Sequence, residues 1–442
     1  MRAFSSVKAE PSTRVPLNRL TAAELTQSIA RGTKSEDVVR ACLERIDDRE
    51  KHVHAWAFLD REHALKQARA LDRSGPRGQP LFGIPIGVKD VIDTADMPTQ
   101  MGSSLYQGHR SGSDAACVAL ARAAGAVILG KTVTCEFAGM SPGPTTNPHN
   151  KAHTPGGSSS GSAAAVADFM VPLALGTQTG GSVLRPASFC GVFGFKPTFG
   201  AFNRRGMFPA AESLDTIGVF ARSIADIEIL STVLELGAES PAARLDRPPR
   251  IGLCRTPMWE KAQPETVAAV ENAAEQLERA GAPITPVTLP DSFAELRHAA
   301  RETINNYERA GAMADEWNTN RQSISPVLRK RIEIGSRMPR SEYLQGLRLG
   351  EECRAKLPQV FADFDALLAP CVNGEAPRGL QATGDPSFQT IWTILHTPSI
   401  ALPTHRGPHG LPVGIQLVAP RYADRQLLAC AQWVWDIVSP TV

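Results

Sequence analysis

The stretch PGGSSSGSAAAVADFMVPLALGTQTGGSVLRPASFCG, residues 155–191, decides how the chain is read. Two clusters of Gly and Ser, GGSSSGS at 156–162 and TGGS at 179–182, flank an Ala-rich helical run and a short apolar strand. One helix and one strand suffice to return the second loop to the side of the first. Gly lets successive backbone N–H groups converge on a bound anion, and a Ser among them can attack beside its own oxyanion site. The pattern predicts an acyl-transfer centre whose base must come from elsewhere in the chain.

Working outward, the base is sought in PLFGIPIGVKDVIDT, residues 80–94. Its apolar, β-branched character reads as a buried strand, and lysine is almost never buried without a reason. Two readings of Lys89 stand side by side. It snorkels or pairs with Asp90 or Asp93, or desolvation disfavours its charge so that the amine acts as a base near neutral pH.

Composition removes several function classes. Lys+Arg 47 against Asp+Glu 45 leaves a formal charge of +2 with no basic run, which argues against nucleic acid or an anionic membrane as partner. The longest apolar stretch, Ala163–Leu175, is broken by Asp168 and Pro172 and is far shorter than the ~20 residues that span a bilayer. Residues 1–19 have no apolar leader core and read as a loose arm, so a cytoplasmic location is the expectation. Eight scattered cysteines without a C-x-x-C pair read as reduced, buried apolar residues, and neither a metal nor a cofactor is expected.

Around the central stretch, strands and helices alternate, which predicts an α/β protein. Helices are expected over Leu20–Arg31, capped by Thr21-x-x-Glu24, then from a cap at Ser35, and near Glu62–Leu71. A helix over Ser113–Gly125 leads to the strand AVILG, and an irregular Pro-rich loop covers 136–154. Ser162–Asp168 reads as a helix and Val171–Leu175 as a strand. GVFGFKPT, SLDTIGVFARSIADIEILSTVL and PRIGLC continue the alternation, with a linker-like patch at Pro241–Pro249. Residues 260–350 read as a charged helical layer over the site. The strands FDALLAP and LPVGIQLVAP and a helix over Asp424–Ile437 close the chain.

Three mechanisms compete for the Ser/Gly loops. Gly157–Gly161 fits G-x-S-x-G, but no strand runs straight into it and no His is placed as partner. A phosphate loop would need G-K-[ST] or the dinucleotide spacing, and neither is present. A Ser-Lys centre uses Lys89, a serine of the first loop and Ser182 of the second.

GIPIGVKD at 83–90, PGGSSSGSAAAVA at 155–167 and GTQTGGSVLRPASFCG at 176–191 resemble, in order, three signature blocks of the amidase signature family. Weaker matches extend the resemblance over roughly residues 20–430. It implies one α/β/α sandwich over 20–442, with a central mixed β-sheet covered by helices. It implies Lys89 as base, Ser158 as bridging serine with a cis peptide bond, and Ser182 as nucleophile. Backbone N–H groups of Thr179, Gly180, Gly181 and Ser182 would form the oxyanion hole, worth about 3–4 kcal/mol per donor. No metal or organic cofactor is implied.

The chain departs from the family pattern at Ser160, where Gly is usual, at Gln178, where Asp is common, and at Arg185, one place later than the usual arginine. Arg185 is expected as an ion pair or carbonyl clamp behind the loop. The stretch between Glu136 and Gly143 is short for the family and would open the acyl pocket. The expected function is hydrolysis of amide C–N bonds of a small molecule, with esters or carbamates as further substrates. The alternatives are the glutaminase subunit of a tRNA amidotransferase and a non-catalytic scaffold. Met140, Tyr307, Trp392 and His396 are the candidate substrate contacts, and a homodimer is one oligomeric state to test.

Overall fold

A computed structural model describes residues 15–235 and 244–439. Eleven strands form one sheet. In chain order they are β1 (Trp56–Leu59), β2 (Pro85–Lys89), β3 (Val127–Thr132), β4 (Leu173–Gln178), β5 (Phe193–Lys196) and β6 (Thr216–Ala221). The second half adds β7 (Ile251–Leu253), β8 (Ile284–Pro286), β9 (Ala366–Pro370), β10 (Ser399–Arg406) and β11 (Pro412–Val418). Their order across the sheet is β1-β3-β2-β4-β6-β5-β10-β11-β9-β7-β8.

The sheet is mixed for a local reason. β3, β2 and β4 are parallel neighbours, as are β9, β7 and β8, because helical crossovers return the chain in the same direction. Between these blocks β6, β5, β10 and β11 run antiparallel to their neighbours. Helices flank the sheet, giving the expected α/β architecture. β2 and β4 are buried throughout, which explains why their sequences read as continuous apolar runs rather than alternating ones. Parallel pairing of Val88 with Leu175 sends the C-terminal ends of both strands to one edge, so Lys89 and Gln178 emerge together. Ligand clefts of α/β sheets form outside such carboxyl ends.

Helix Ser160–Ala167 has the sequence SGSAAAVA and is buried through Val166. Small side chains on every face let it pack closely against the sheet. Gly161 marks the tightest point: a Cβ there would collide with the Ala55 carbonyl oxygen on one side and the Val133 nitrogen on the other. The glycine is required by approach, not by a turn.

At the ends of elements, the chain follows its local signals closely but not everywhere. Helix Ala22–Ala30 starts with Thr21 and Glu24 making both halves of the capping box. Ser35 does not cap the next helix, Ser35–Val53; Asp72 does, accepting from the amides of Ser35 and Glu36 at 2.7 and 3.1 Å. A carboxylate brought from another helix thus replaces the local hydroxyl. Strands β1, β8 and β10 carry weak sequence signals and are set by pairing. Residues 1–14 of the arm and the start of the Pro241–Pro249 patch lie outside the described residues.

A second apolar core lies beneath the helical layer, where Phe293, Leu296, Ile304, Cys353 and Trp392 meet Leu367 of β9 and Val418 of β11. Helices Asn305–Ala312 and Pro326–Arg337 join the main core instead, through Ala310, Leu328 and Ile332. Among the described residues no helix is long and apolar enough to cross a membrane, and all eight cysteines are buried free thiols.

Candidate active site

Lys89 ends β2 with no exposed surface. Its Nζ lies 2.8 Å from Ser158 Oγ, 2.7 Å from Thr177 Oγ1 and 3.4 Å from the Thr177 carbonyl oxygen. No carboxylate pairs with it among the described residues. Burial lowers its pKa to about 7, so about half of the amines are neutral at that pH. A neutral amine has two N–H donors and one lone pair. With the N–H groups on the two Thr177 oxygens, the lone pair is left for the Ser158 hydroxyl.

The peptide between Gly157 and Ser158 is cis, as the resemblance implies. Both Ser/Gly loops are tied to each other. The Ser159 amide donates to the Ser182 carbonyl at 3.4 Å, and Arg185, on the helix that follows Ser182, donates Nη2–H to the Gly157 carbonyl at 2.7 Å. Arg185 is therefore a carbonyl clamp. Ser159 bridges to β4, donating to the Thr177 carbonyl and accepting from the Thr177 amide. Ser160 adopts a negative φ, where a side chain is tolerated, and turns its hydroxyl toward the Val133 carbonyl at 3.4 Å.

The second loop, Thr179–Ser182, is held from behind. Gln178 Oε1 accepts from the amides of Val183 and Leu184 at 2.9 and 3.1 Å, while its Nε2 donates to Thr393 Oγ1 at 3.0 Å. Thr393 in turn donates to the Gly180 carbonyl at 2.8 Å. An Asp could accept the two amides but has no N–H for Thr393, so the amide at 178 suits this chain's own partner. Thr179 donates to Asp215 at 2.5 Å, and burial raises the Asp215 carboxyl to about 6.

Thr179, Gly180, Gly181 and Ser182 line one wall of a cleft of about 540 Å³, counting its open mouth. Met140 lies on its rim and is the one candidate substrate contact that the cleft includes. Tyr307 stacks on Tyr343 at 4.2 Å, and Trp392 is fully buried in the second core. His396 donates Nε2–H to the Ser213 carbonyl at 2.9 Å and stacks on Phe199, and burial drives its pKa down to about 3. None of these three aromatic side chains lines the cleft.

Sequence reasoning missed Thr177 and the opposite wall, formed by Arg301, Asn305, Arg309 and Arg331 of the helical layer. Residues 301, 305 and 309 recur at four-residue spacing, a stripe on one helical face. Arg301 sits in a π-helical turn, Ala299–Ile304, a widened turn often found at functional sites. Among the described residues no group of three His, Cys, Asp or Glu could hold a metal.

Comparison with known proteins supplies the family and the fold. The Amidase family model matches residues 37–428. A glutamyl-tRNA(Gln) amidotransferase chain of Mycobacterium tuberculosis, one component of that enzyme, is 33% identical over 475 residues, covering 92% of this chain and 95% of the relative. Native peptide amidase from Stenotrophomonas maltophilia superposes with a TM-score of 0.82 at 29% identity, covering 96% of this chain and 98% of that one. A chain from a vestigial protein complex bearing on the origins of an s-triazine catabolic enzyme superposes with a TM-score of 0.86 at 29% identity, covering 96% of this chain and all of the other (100%). Strand order, paired Ser/Gly loops and a match over most of the sequence all lead to one assignment: this chain belongs to the amidase family of enzymes, which act on amide C–N bonds.

Proposed function

We propose that the chain hydrolyses carboxylic amides through a Lys89–Ser158–Ser182 relay and an acyl-enzyme. The observation that carries this reading is the 2.8 Å contact between Ser158 and a buried, carboxylate-free lysine. Ser182 Oγ attacks the carbonyl carbon, passing its proton to Ser158 as Ser158 passes its own to Lys89. The N–H groups of Thr179–Ser182 stabilise the oxyanion. The C–N bond breaks as the proton returns along the relay to the leaving amine. Water then attacks the acyl-enzyme by the same proton path, releasing the acid and restoring Ser182. Esters and carbamates fit the same chemistry.

A second reading, the glutaminase component of a tRNA amidotransferase, is favoured by the 33% identity to a chain of such an enzyme. A non-catalytic scaffold is disfavoured because Lys89, Ser158 and Ser182 are all retained. A screen of amides, carbamates and esters, with Ser182→Ala as the blank, tests the first reading: turnover by the isolated chain supports it, and none beyond the blank removes it. Glutamine-dependent ammonia release that requires a co-purifying partner would favour the second.

A further inference from the structure

The cleft beside Ser182 carries an unusual charge. Four arginines, Arg185, Arg301, Arg309 and Arg331, line the cleft and no Asp or Glu does. Arg185 and Arg309 are only 5% and 2% exposed. Buried guanidinium groups are ordinarily matched by an anion, because an uncompensated charge in a poorly solvated site is costly.

Local partners do not supply that match. Arg185 spends Nη2 on the Gly157 carbonyl and Thr383 Oγ1, while its Nε and Nη1 are buried without a hydrogen-bond partner. Arg309 donates to the Phe137 carbonyl and to Asn305, both neutral. Arg331 donates to Asn306 and to the Arg301 carbonyl. Arg301 and Arg331 share one carboxylate, Glu302, at 3.8 Å from each. Asp215 and Glu136 attract Arg309 from a distance without pairing with it, their hydrogen bonds going to Thr179 and the Ala211 amide and to the Ser325 amide, while Asp385 bonds Ser387 and Lys261. Burial and mutual repulsion lower the pKa of Arg185 to about 10, still fully charged at neutral pH.

Resting on the reading of Ser182 as nucleophile, we propose that the cleft selects a small amide that carries a carboxylate and no ammonium group. The carboxylate seats on the free N–H groups of Arg185 and on the facing arginines, placing the amide carbonyl over the loop Thr179–Ser182. Guanidinium groups pair with carboxylates by parallel, charge-assisted hydrogen bonds, so the anion is both held and oriented. A zwitterion such as glutamine would bring its ammonium into a cleft lined by four cations with no lining carboxylate to receive it. Monoamides of short dicarboxylic acids, such as malonamate and succinamate, have the required charge.

Binding to full-length Ser182→Ala, measured by titration calorimetry in 0.1 M salt, tests this apart from turnover. Malonamate or succinamate should bind at least ~30-fold more tightly than butanamide and than glutamine. Arg331→Gln, or Arg301→Gln if the first does not fold, should weaken that binding at least ~10-fold and weaken butanamide binding by a clearly smaller factor. Butanamide or glutamine binding as well as both monoamides, or neither monoamide binding, overturns the proposal, even where the wild type hydrolyses neutral amides. Tight monoamide binding with no hydrolysis of any amide by the wild type would instead retain the charge selectivity and remove the hydrolase reading.

Discussion

Lys89 and Asp90 are adjacent in sequence but their side chains serve different sites: Asp90 pairs with Lys131 at 3.3 Å, while Lys89 meets only the oxygens of Ser158 and Thr177. Alternation along an extended backbone sends neighbouring side chains to opposite faces. Lys131 thereby takes the carboxylate that would otherwise hold Lys89 charged. The ion pair of Lys89 with Asp90, one of the two sequence readings, is not formed.

Activity should follow the neutral fraction of Lys89. With its pKa near 7, kcat/KM should rise with pH through about 7 and then level. Lys89→Met should lower kcat at least ~10³-fold. Lys196 is an internal control: burial lowers it equally, to about 7, but it donates to the carbonyls of Pro197 and Thr397. Lys196→Met, if folded, should keep the pH profile; a profile that disappears with Lys196 and survives in Lys89→Met would contradict the assignment.

The same lysine should cost stability at lower pH. Its folded value, about 7, lies below its ordinary 10.5, so the unfolded chain binds more protons between these values. Stability contributed by wild type relative to Lys89→Met therefore increases as pH rises from about 7 toward 10.5 and is flat below that window. Denaturant titrations of both proteins at pH 7 and 9.5 measure the difference; an advantage that shrinks toward pH 9.5 refutes it.

Gln178→Ala should remove the acceptor of two helix amides and the donor to Thr393 together. A loss of about 1–3 kcal/mol in stability is expected for such unsatisfied groups. Because Thr393 also holds the Gly180 carbonyl, kcat should fall more than KM changes. Unaltered kcat in a folded variant would show that Gln178 does not position the loop.

Gly161→Ala tests the close packing of the central helix. The added Cβ meets backbone on both sides, and backbone cannot rotate away as a side chain can. The cost should reach or exceed the ~1–3 kcal/mol of ordinary overpacking, read as a lower urea midpoint. An unchanged midpoint would mean that the helix can shift.

The candidate site residues on β2 and the two loops stood out in the sequence because they break local rules: a lysine in a buried strand, and serines clustered among glycines on either side of a helix and a strand. The arginine wall did not. On a helix, Arg301 and Arg309 look like a solvated polar face, and only tertiary packing, which leaves Arg309 2% exposed, turns that face inward. Aromatic residues misled in the opposite direction. Trp392 and Tyr307 have the size of pocket residues, but the same size makes them good core and stacking partners. Cap residues were legible when local, as at Thr21, and hidden when supplied by another helix, as at Asp72.

Everything proposed for the chemistry depends on Ser182 being a nucleophile activated through Ser158 by Lys89. Labelling with a fluorophosphonate followed by peptide mapping tests this most directly. A single adduct on Ser182 is expected, absent in Ser182→Ala and formed at least ~100-fold more slowly in Lys89→Met and Ser158→Ala. An adduct elsewhere, or labelling of Ser182 at the wild-type rate without Lys89, would contradict it.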